Sequence, residues 1–223
     1  MYANFFKRLI DFLLSLVALI VLSPILLLLT IVGTIAMKGN PFFIQQRPGK
    51  KGKDGEEKIF NMIKFRTMTN QKDKDGNLLP DENRLNKYGL FLRSTSLDEL
   101  GELLNIIKGD MSIVGPRPLL IEYLPYYTEE ERRRHNVRPG LTGYAQVNGR
   151  NYVTWSDKFK MDIWYVENIS LATDIKILID TLKIVFKREN IETASQIEHN
   201  GVVYMPLHIE RQKTVRETEE SIK

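Results

Sequence analysis

Apolar residues are spread unevenly along the chain, and their period changes from segment to segment. Residues 12–37 carry no charge and are dense in Leu, Ile and Val. A run of that length and composition reads as a membrane segment. A cleaved signal is disfavoured, because the run is too long and Met37-Lys38-Gly39 lacks a small-x-small pattern. Ser23-Pro24 interrupts the run near its middle. Proline removes a backbone donor and clashes with the preceding turn, whereas Ser-Pro suits the N-cap and first position of a new helix. The run then divides into residues 12–22 and 24–37. At ~1.5 Å per residue each half is roughly 16–21 Å long, short of a ~30 Å hydrocarbon core.

The flanks point the same way. Lys7 and Arg8 precede the run, and Lys38, Arg47, Lys50, Lys51 and Lys53 follow it. Positive residues mark the cytoplasmic side of a membrane, and here they mark both ends. A straight spanning helix is the plain alternative. The break and the flanks favour a helix-break-helix that enters one leaflet and returns. Lipid offers no partner to carbonyls freed at a break, so Ser23 and neighbouring protein are the candidates to take them up. Lys7 and Arg8 are expected at the headgroup phosphates.

Beyond the run, residues 42–44 and 58–63 are strand-like and flank a loop of Gly and charged residues between Gly49 and Gly55, the pattern of a hairpin. Residues 69–86 are polar, with a turn at Asp75-Gly76-Asn77, and read as loop or as a short helix around residues 81–86. Leu97, Leu100, Leu103, Leu104 and Ile107 then recur at helical spacing. Ser94, Thr95 and Ser96 stand where an N-cap is wanted, and Ser96-x-x-Glu99 has the form of a capping box. Thr128, with Glu131 three residues on, opens a charged helix that Arg138-Pro139-Gly140 stops. Residues 142–151 read as irregular loop and residues 155–166 as helix. A helix capped by Thr173 places Ile175, Leu178, Ile179, Leu182, Val185 and Phe186 on one face. Such a face either covers a core or lies in a membrane interface. Residues 189–223 read as a poorly packed polar tail with one strand near Val202, Val203, Tyr204 and Met205.

Composition narrows the chemistry. The 223 residues contain no Cys, which excludes disulfides, thiolate metal sites and Cys nucleophiles. Three scattered histidines give no His-based metal spacing. The net charge of +4 suits an anionic membrane or a phosphorylated substrate. It also suits nucleic acid, but the basic residues are not interleaved with aromatics as in single-strand binders, so no nucleic-acid partner is expected.

Two features remain for function. Asp98-Glu99 is an acidic pair on the first turn of its helix, either as part of a cap or as a chemical site. Arg47-Pro48, Arg117-Pro118 and Arg138-Pro139 each hold an Arg before a Pro, in extended geometry. These are ordinary surface turns or stiff mounts for phosphate-gripping forks. Lys64 and Arg150 add cationic groups in polar surroundings.

Several long motifs carry a resemblance. They are Lys64-Phe65-Arg66-Thr67-Met68, Arg93-Ser94 through Leu100, Lys108-Gly109-Asp110-Met111-Ser112-Ile113-Val114-Gly115-Pro116-Arg117-Pro118, and Arg138-Pro139-Gly140-Leu141-Thr142-Gly143-Tyr144-Ala145-Gln146-Val147-Asn148-Gly149-Arg150. Together with Ser23-Pro24 they resemble the bacterial sugar transferases, the monotopic polyprenyl-phosphate phosphoglycosyl transferases. The likeness extends over residues 1–187 and looks closest to the small members, of the kind that transfers diacetylbacillosamine phosphate.

The resemblance implies transfer of sugar-1-phosphate from a UDP-sugar to polyprenyl phosphate, undecaprenyl phosphate in most bacteria, with release of UMP. It implies a covalent phosphosugar on Asp98, with Glu99 as partner, and Mg²⁺ held near both carboxylates. Lys64, Arg117, Arg138 and Arg150 are candidates for gripping diphosphate or nucleotide. Ser23 and Pro24 mark the membrane break. Membrane lipid and downstream glycosyltransferases are the expected partners, at the cytosolic face of the bacterial inner membrane. The expected fold is α+β and mainly helical, with a re-entrant pair (1–38), a catalytic domain with a small hairpin and amphipathic interfacial helices (39–188), and the polar tail (189–223). A non-catalytic basic anchor that recruits glycan-assembly enzymes is the rival from another class.

Overall fold

The computed structural model describes residues 2–149, 153–187, 198–199, 202–203 and 206–213. Arg150 and the expected strand residues Tyr204 and Met205 lie outside them. The architecture is mainly helical α+β. In chain order come α1 (Lys7–Val21), α2 (Ser23–Ala36), β1 (Phe42–Lys51), β2 (Glu57–Phe65), α3 (Asp81–Arg84), α4 (Lys87–Thr95) and α5 (Glu102–Lys108). There follow β3 (Ser112–Val114), α6 (Glu129–Arg132), β4 (Gly140–Thr142), α7 (Tyr144–Asn148), α8 (Trp155–Glu167), α9 (Leu171–Lys187), β5 (Glu198–His199) and β6 (Val202–Val203). The strands pair two by two: β1 with β2, β3 with β4 and β5 with β6.

The chain forms two compact units. The first comprises Met1–Gln46, Phe60–Ile113 and Leu182–Ile191. Its α1 and α2 are bent by 64° at a break on Leu22. Neither helix alone is long and apolar enough to cross a membrane. Ser23 Oγ donates to Ile20 O at 2.7 Å, which gives a carbonyl at the break the expected partner. The pair is inside-out for a water-soluble helix. Asp11 and Ser15 are buried, whereas Ile20 and Val21 are 63% and 68% exposed. Lys7 and Arg8, expected at the headgroup phosphates, are held against protein groups. Lys7 is buried, and Arg8 donates from Nη1 to Ile106 O at 2.6 Å and from Nη2 to Ile107 O at 2.7 Å. The guanidinium adds donors to the last carbonyls of α5, of which Ile106 O also accepts from Gly109 N, a demand local in space but distant in sequence. Asp11 adds a second tie, accepting from Ser112 Oγ at 2.6 Å and Ile113 N at 3.1 Å.

A core of Leu29, Phe65 and Leu92 joins α2, β2 and α4, with Tyr88, Leu97 and Leu100 packed around it. Tyr88 Oη donates to Leu29 O at 2.8 Å. The Asn86 side chain caps α4 by accepting from Gly89 N at 2.9 Å, and its amide donates to Ala36 O at 3.0 Å.

The second unit comprises Arg47–Ile59, Val114–Thr181 and Glu192–Lys223. Its core is Tyr123, Tyr127, Phe159 and Leu207. The Thr128–Glu131 capping box is present at the start of α6. Two expectations fail here. Residues 144–148 are helical, although Gly143 and Gly149 around them read as loop. Within the stretch read as a poorly packed tail, residues 207–213 form a helix and Leu207 is fully buried. A single Leu flanked by polar residues gives no periodic signal, and the aromatic cluster that receives it is far away in sequence. α9 is capped by Ser170, whose Oγ accepts from Thr173 N at 3.1 Å, and not by Thr173 itself. Its core-facing residues are Asp174 and Ile177, while Ile175, Ile179, Leu182 and Val185 are exposed. The apolar face found in the sequence therefore does not cover a core.

Candidate active site

Local geometry around Asp98 departs from the capping reading. α4 does not begin at Ser96 but ends there. Its start is set by Asn86, and Leu92 pulls it onto Leu29 and Phe65. Ser96 is left-handed, with φ 55°, and makes no side-chain cap. A non-glycine residue held at positive φ costs roughly 1–2 kcal/mol and persists only where the surroundings impose it. Asp98 and Glu99 follow on a 3₁₀ turn, Leu97–Gly101, wedged between α4 and α5. Gly101 lets this turn approach β2: a Cβ there would lie 2.7 Å from Ile63 O. Asn105, fully buried on α5, ties the same strand by accepting from Ile63 N at 2.9 Å and donating to Asn61 O at 2.7 Å.

This register brings Lys64 to the acidic turn. Its Nζ donates to Glu99 Oε1 at 2.8 Å and lies 3.0 Å from Glu102 Oε1. Lys64 and Glu99 are partly buried, whereas the Glu102 side chain is 3% exposed. Glu102 escaped the sequence reading. The apolar stripe read there runs through Leu103, Leu104 and Ile107, whereas the buried face of α5 is Glu102, Leu103, Asn105 and Ile106. One ammonium thus holds two carboxylates on and just after the turn that carries Asp98.

Arg117 and Arg138 lie in the second unit. Arg117 lines a cavity of about 260 Å³, together with Leu119, Arg134, Ala145, Gln146, Lys158 and Asp162. Arg134 is buried and pairs with Asp162 through Nε at 2.9 Å and Nη2 at 2.8 Å. Its Nη2 also donates to Arg117 O at 2.7 Å, so the pair fixes the backbone on which Arg117 is mounted. Lys158 lies over the Trp155 ring at 4.4 Å. Burial pushes its pKa down against the pull of Asp162, and the positive charges of Arg117 and Arg134 add to the depression. Burial likewise pushes the Asp162 carboxyl up, against Arg134 and Lys158. Arg138 sits between Val137 and Pro139, just ahead of β4. The structure brings Lys64 and Glu99 into direct contact and keeps Asp98 on the same turn. Arg150 lies outside the described residues.

Among the described residues, no cluster of three or more His, Cys, Asp or Glu forms a metal cage. Mg²⁺ is habitually held by one or two carboxylates plus substrate phosphates. Adjacent, partly exposed carboxylates on one turn fit that donor set.

A profile described as bacterial sugar transferase matches residues 2–188. The chain belongs to the bacterial sugar transferase family. The expected enzyme class, a sugar-phosphate transferase, holds with it. Among its relatives, the uncharacterized sugar transferase EpsL of Bacillus subtilis is 49% identical over 192 residues, covering 86% of this chain and 92% of EpsL. The exopolysaccharide production protein ExoY of Sinorhizobium fredii is 37% identical over 196 residues, 80% of this chain and 84% of ExoY. The undecaprenyl-phosphate galactose phosphotransferase of Salmonella typhimurium is 36% identical over 206 residues, 84% of this chain and 42% of that larger protein. The small-form expectation thus matches EpsL and ExoY. The profile ends at residue 188, so the docked 207–213 helix lies beyond it.

Proposed function

We propose that this bacterial sugar transferase moves sugar-1-phosphate from a UDP-sugar to undecaprenyl phosphate, with Asp98 as covalent nucleophile. The observation that carries the reading is the Lys64-bridged turn: Glu99 and Glu102 are held at 2.8 and 3.0 Å by one ammonium, next to Asp98. It is supported by the names of relatives, one an undecaprenyl-phosphate galactose phosphotransferase and another a UDP-glucose:undecaprenyl-phosphate glucose-1-phosphate transferase.

In the first step a carboxylate oxygen of Asp98 attacks the sugar-bearing phosphorus. The bond from that phosphorus to the bridging oxygen breaks, and UMP leaves with the electron pair. The acyl phosphate divides one hard displacement into two. In the second step a phosphate oxygen of the polyprenyl carrier attacks the same phosphorus and expels the Asp98 carboxylate. Lys64 keeps Glu99 and Glu102 in place and reduces their repulsion of the incoming diphosphate. Mg²⁺, held by Asp98 and Glu99 when bound, would offset the diphosphate charge. Positioning and charge neutralisation are most of what phosphoryl transfer asks of a protein.

The inside-out α1–α2 pair supports a re-entrant membrane segment, and the exposed apolar face of α9 supports an interfacial helix. Because the chain has no native Cys, single cysteines introduced near Met1 and at Lys50 report topology cleanly. Both should label from the same side, and opposite sides would restore a spanning helix. For the chemistry, UMP release is measured across a panel of UDP-sugars with polyprenyl phosphate and Mg²⁺. Asp98→Asn should lose the trapped phosphosugar adduct and lower turnover by on the order of 10³-fold or more. Wild-type turnover in Asp98→Asn would overturn the nucleophile assignment, and silence across the panel would favour a non-catalytic anchor.

A further inference from the structure

The two carboxylates that Lys64 holds are not alike. Glu102 stands on the first turn of α5 with its side chain 3% exposed, whereas the Glu99 side chain, on the 3₁₀ turn, is 21% exposed. The strand that carries Lys64 and the helix that carries Glu102 are fastened together at Ile63. Gly101 admits the close approach to Ile63 O, and Asn105, on the same buried face of α5 as Glu102, accepts from Ile63 N at 2.9 Å and donates to Asn61 O at 2.7 Å. The 3.0 Å contact between Lys64 and Glu102 is therefore set by the fold from both sides. Breaking it would part a buried carboxylate from its ammonium, one of the larger single losses a protein can suffer. Glu99 lies at the wetter end of the same ammonium, where water compensates most of a broken ion pair.

Both acids draw on one positive charge. An ammonium whose field is already met by a fixed carboxylate attracts a second carboxylate less, and the two carboxylates repel each other. Glu102 thus loosens the grip of Lys64 on Glu99. That matters for a ligand role, because a divalent cation and the ammonium compete for the same Glu99 oxygens. A Lys64 held only by Glu99 would keep that side chain to itself. A Lys64 anchored on Glu102 shares it.

We propose that Glu102 is a positioning residue. It anchors Lys64 and makes Glu99 the exchangeable partner of the ammonium, so that Glu99 passes to a divalent cation at low cost. The inference rests on the reading of Asp98 and Glu99 as the Mg²⁺ carboxylates, and adds to it the residue that sets how readily the turn takes the cation. All four side chains, Lys64, Asp98, Glu99 and Glu102, belong to the first unit.

The test uses the full chain in zwitterionic nanodiscs and Mn²⁺ alone as the probe, titrated by electron paramagnetic resonance without any sugar donor. Glu99→Gln is the reference and should weaken Mn²⁺ by about tenfold or more, since it removes a ligand. Glu102→Gln, which keeps the side chain's shape, should weaken Mn²⁺ about fivefold, because Lys64 then closes on Glu99. Lys64→Met combined with Glu102→Gln should bind Mn²⁺ at least about threefold more tightly than wild type, because no ammonium at position 64 holds Glu99. The removed pair is neutral as a whole, so a charge effect acting through space predicts only a return to the wild-type value. In the UMP-release assay the Mg²⁺ concentration for half the maximal rate should rise in Glu102→Gln and fall below wild type in the double variant. A Glu102→Gln affinity within about twofold of wild type, a double variant that only regains the wild-type value, or a slower Glu102→Gln with an unchanged Mg²⁺ requirement overturns the inference. Those outcomes, with Glu99→Gln behaving as expected, sink the role of Glu102 alone. Unaltered Mn²⁺ binding in Glu99→Gln sinks the metal reading of the turn as well, and silence across the UDP-sugar panel sinks the transfer reading while the Mn²⁺ titrations still decide the role of Glu102.

Discussion

Replacing Arg8 tests whether α1 is coupled to α5, the helix that follows the acidic turn. Arg8 donates to Ile106 O and Ile107 O at 2.6 and 2.7 Å, and a Cβ at Gly109 would lie 3.3 Å from its Nη2. It therefore closes the C-terminus of α5, where it adds donors to the last carbonyls and a cation meets the negative end of the helix dipole. Hydrogen bonds from a charged donor contribute ~1.5–3 kcal/mol each, and water recovers part of the loss at a half-buried site. Arg8→Met should thus cost about 3 kcal/mol, which for a chain of this size is a fall of ~6–12 °C in melting temperature. Tryptophan fluorescence melts in nanodiscs are a suitable assay. Two controls separate capping from headgroup binding. Arg8→Lys keeps the charge but cannot span both carbonyls, so it should show about half the shift. The Arg8→Met shift should be equal in zwitterionic and anionic lipid. A shift below about 2 °C in zwitterionic lipid, or a neutral Arg8→Lys, would refute the capping role.

Lys64→Met should destabilise the first unit by about 3 kcal/mol, because it removes the ammonium that pairs with the buried Glu102 carboxylate; Lys64→Met combined with Glu102→Gln should recover much of this in chemical denaturation, and no recovery would count against the pair. His135 is buried, its Nδ1 lies 3.2 Å from Gly49 O, and burial and the neighbouring Arg134 hold its pKa down to about 3 from the ordinary 6.5. As pH falls below 6.5 the unfolded chain takes up this proton first, so stability present above 6.5 is lost toward pH 3, at up to ~1.4 kcal/mol per unit. His135→Gln should remove that slope from a pH series of denaturation curves, and an unchanged slope would assign it to other groups. Leu207→Ala should cost ~2–5 kcal/mol, since the side chain is fully buried among Tyr123, Tyr127 and Phe159; a loss below about 1 kcal/mol would show the 207–213 helix to be dispensable.

What could be read from the sequence was what depends on neighbours within a few residues. The Ser23-Pro24 break is local chemistry, and Ser23 indeed closes on Ile20 O. The Thr128–Glu131 capping box is local in the same way. The parts that escaped are partners distant in sequence. Glu102 meets Lys64 from another element, Arg134 meets Asp162 across 28 positions, and Arg8 meets Ile106 across 98. Each reads locally as an ordinary charged residue. The Ser96-x-x-Glu99 pattern failed for the opposite reason: its local form is right but its context is not. Tyr88 and Leu92 commit the preceding residues to α4, so Ser96 arrives at a helix end in left-handed geometry. That outcome bears on function. A capping box would have accounted for both acids by backbone demand alone. Ser96 makes no side-chain cap, and Glu99 Oε1 accepts from Lys64. The strained entry at Ser96 and the close approach at Gly101 then hold two adjacent carboxylates on a short turn, with Glu99 against the Lys64 ammonium.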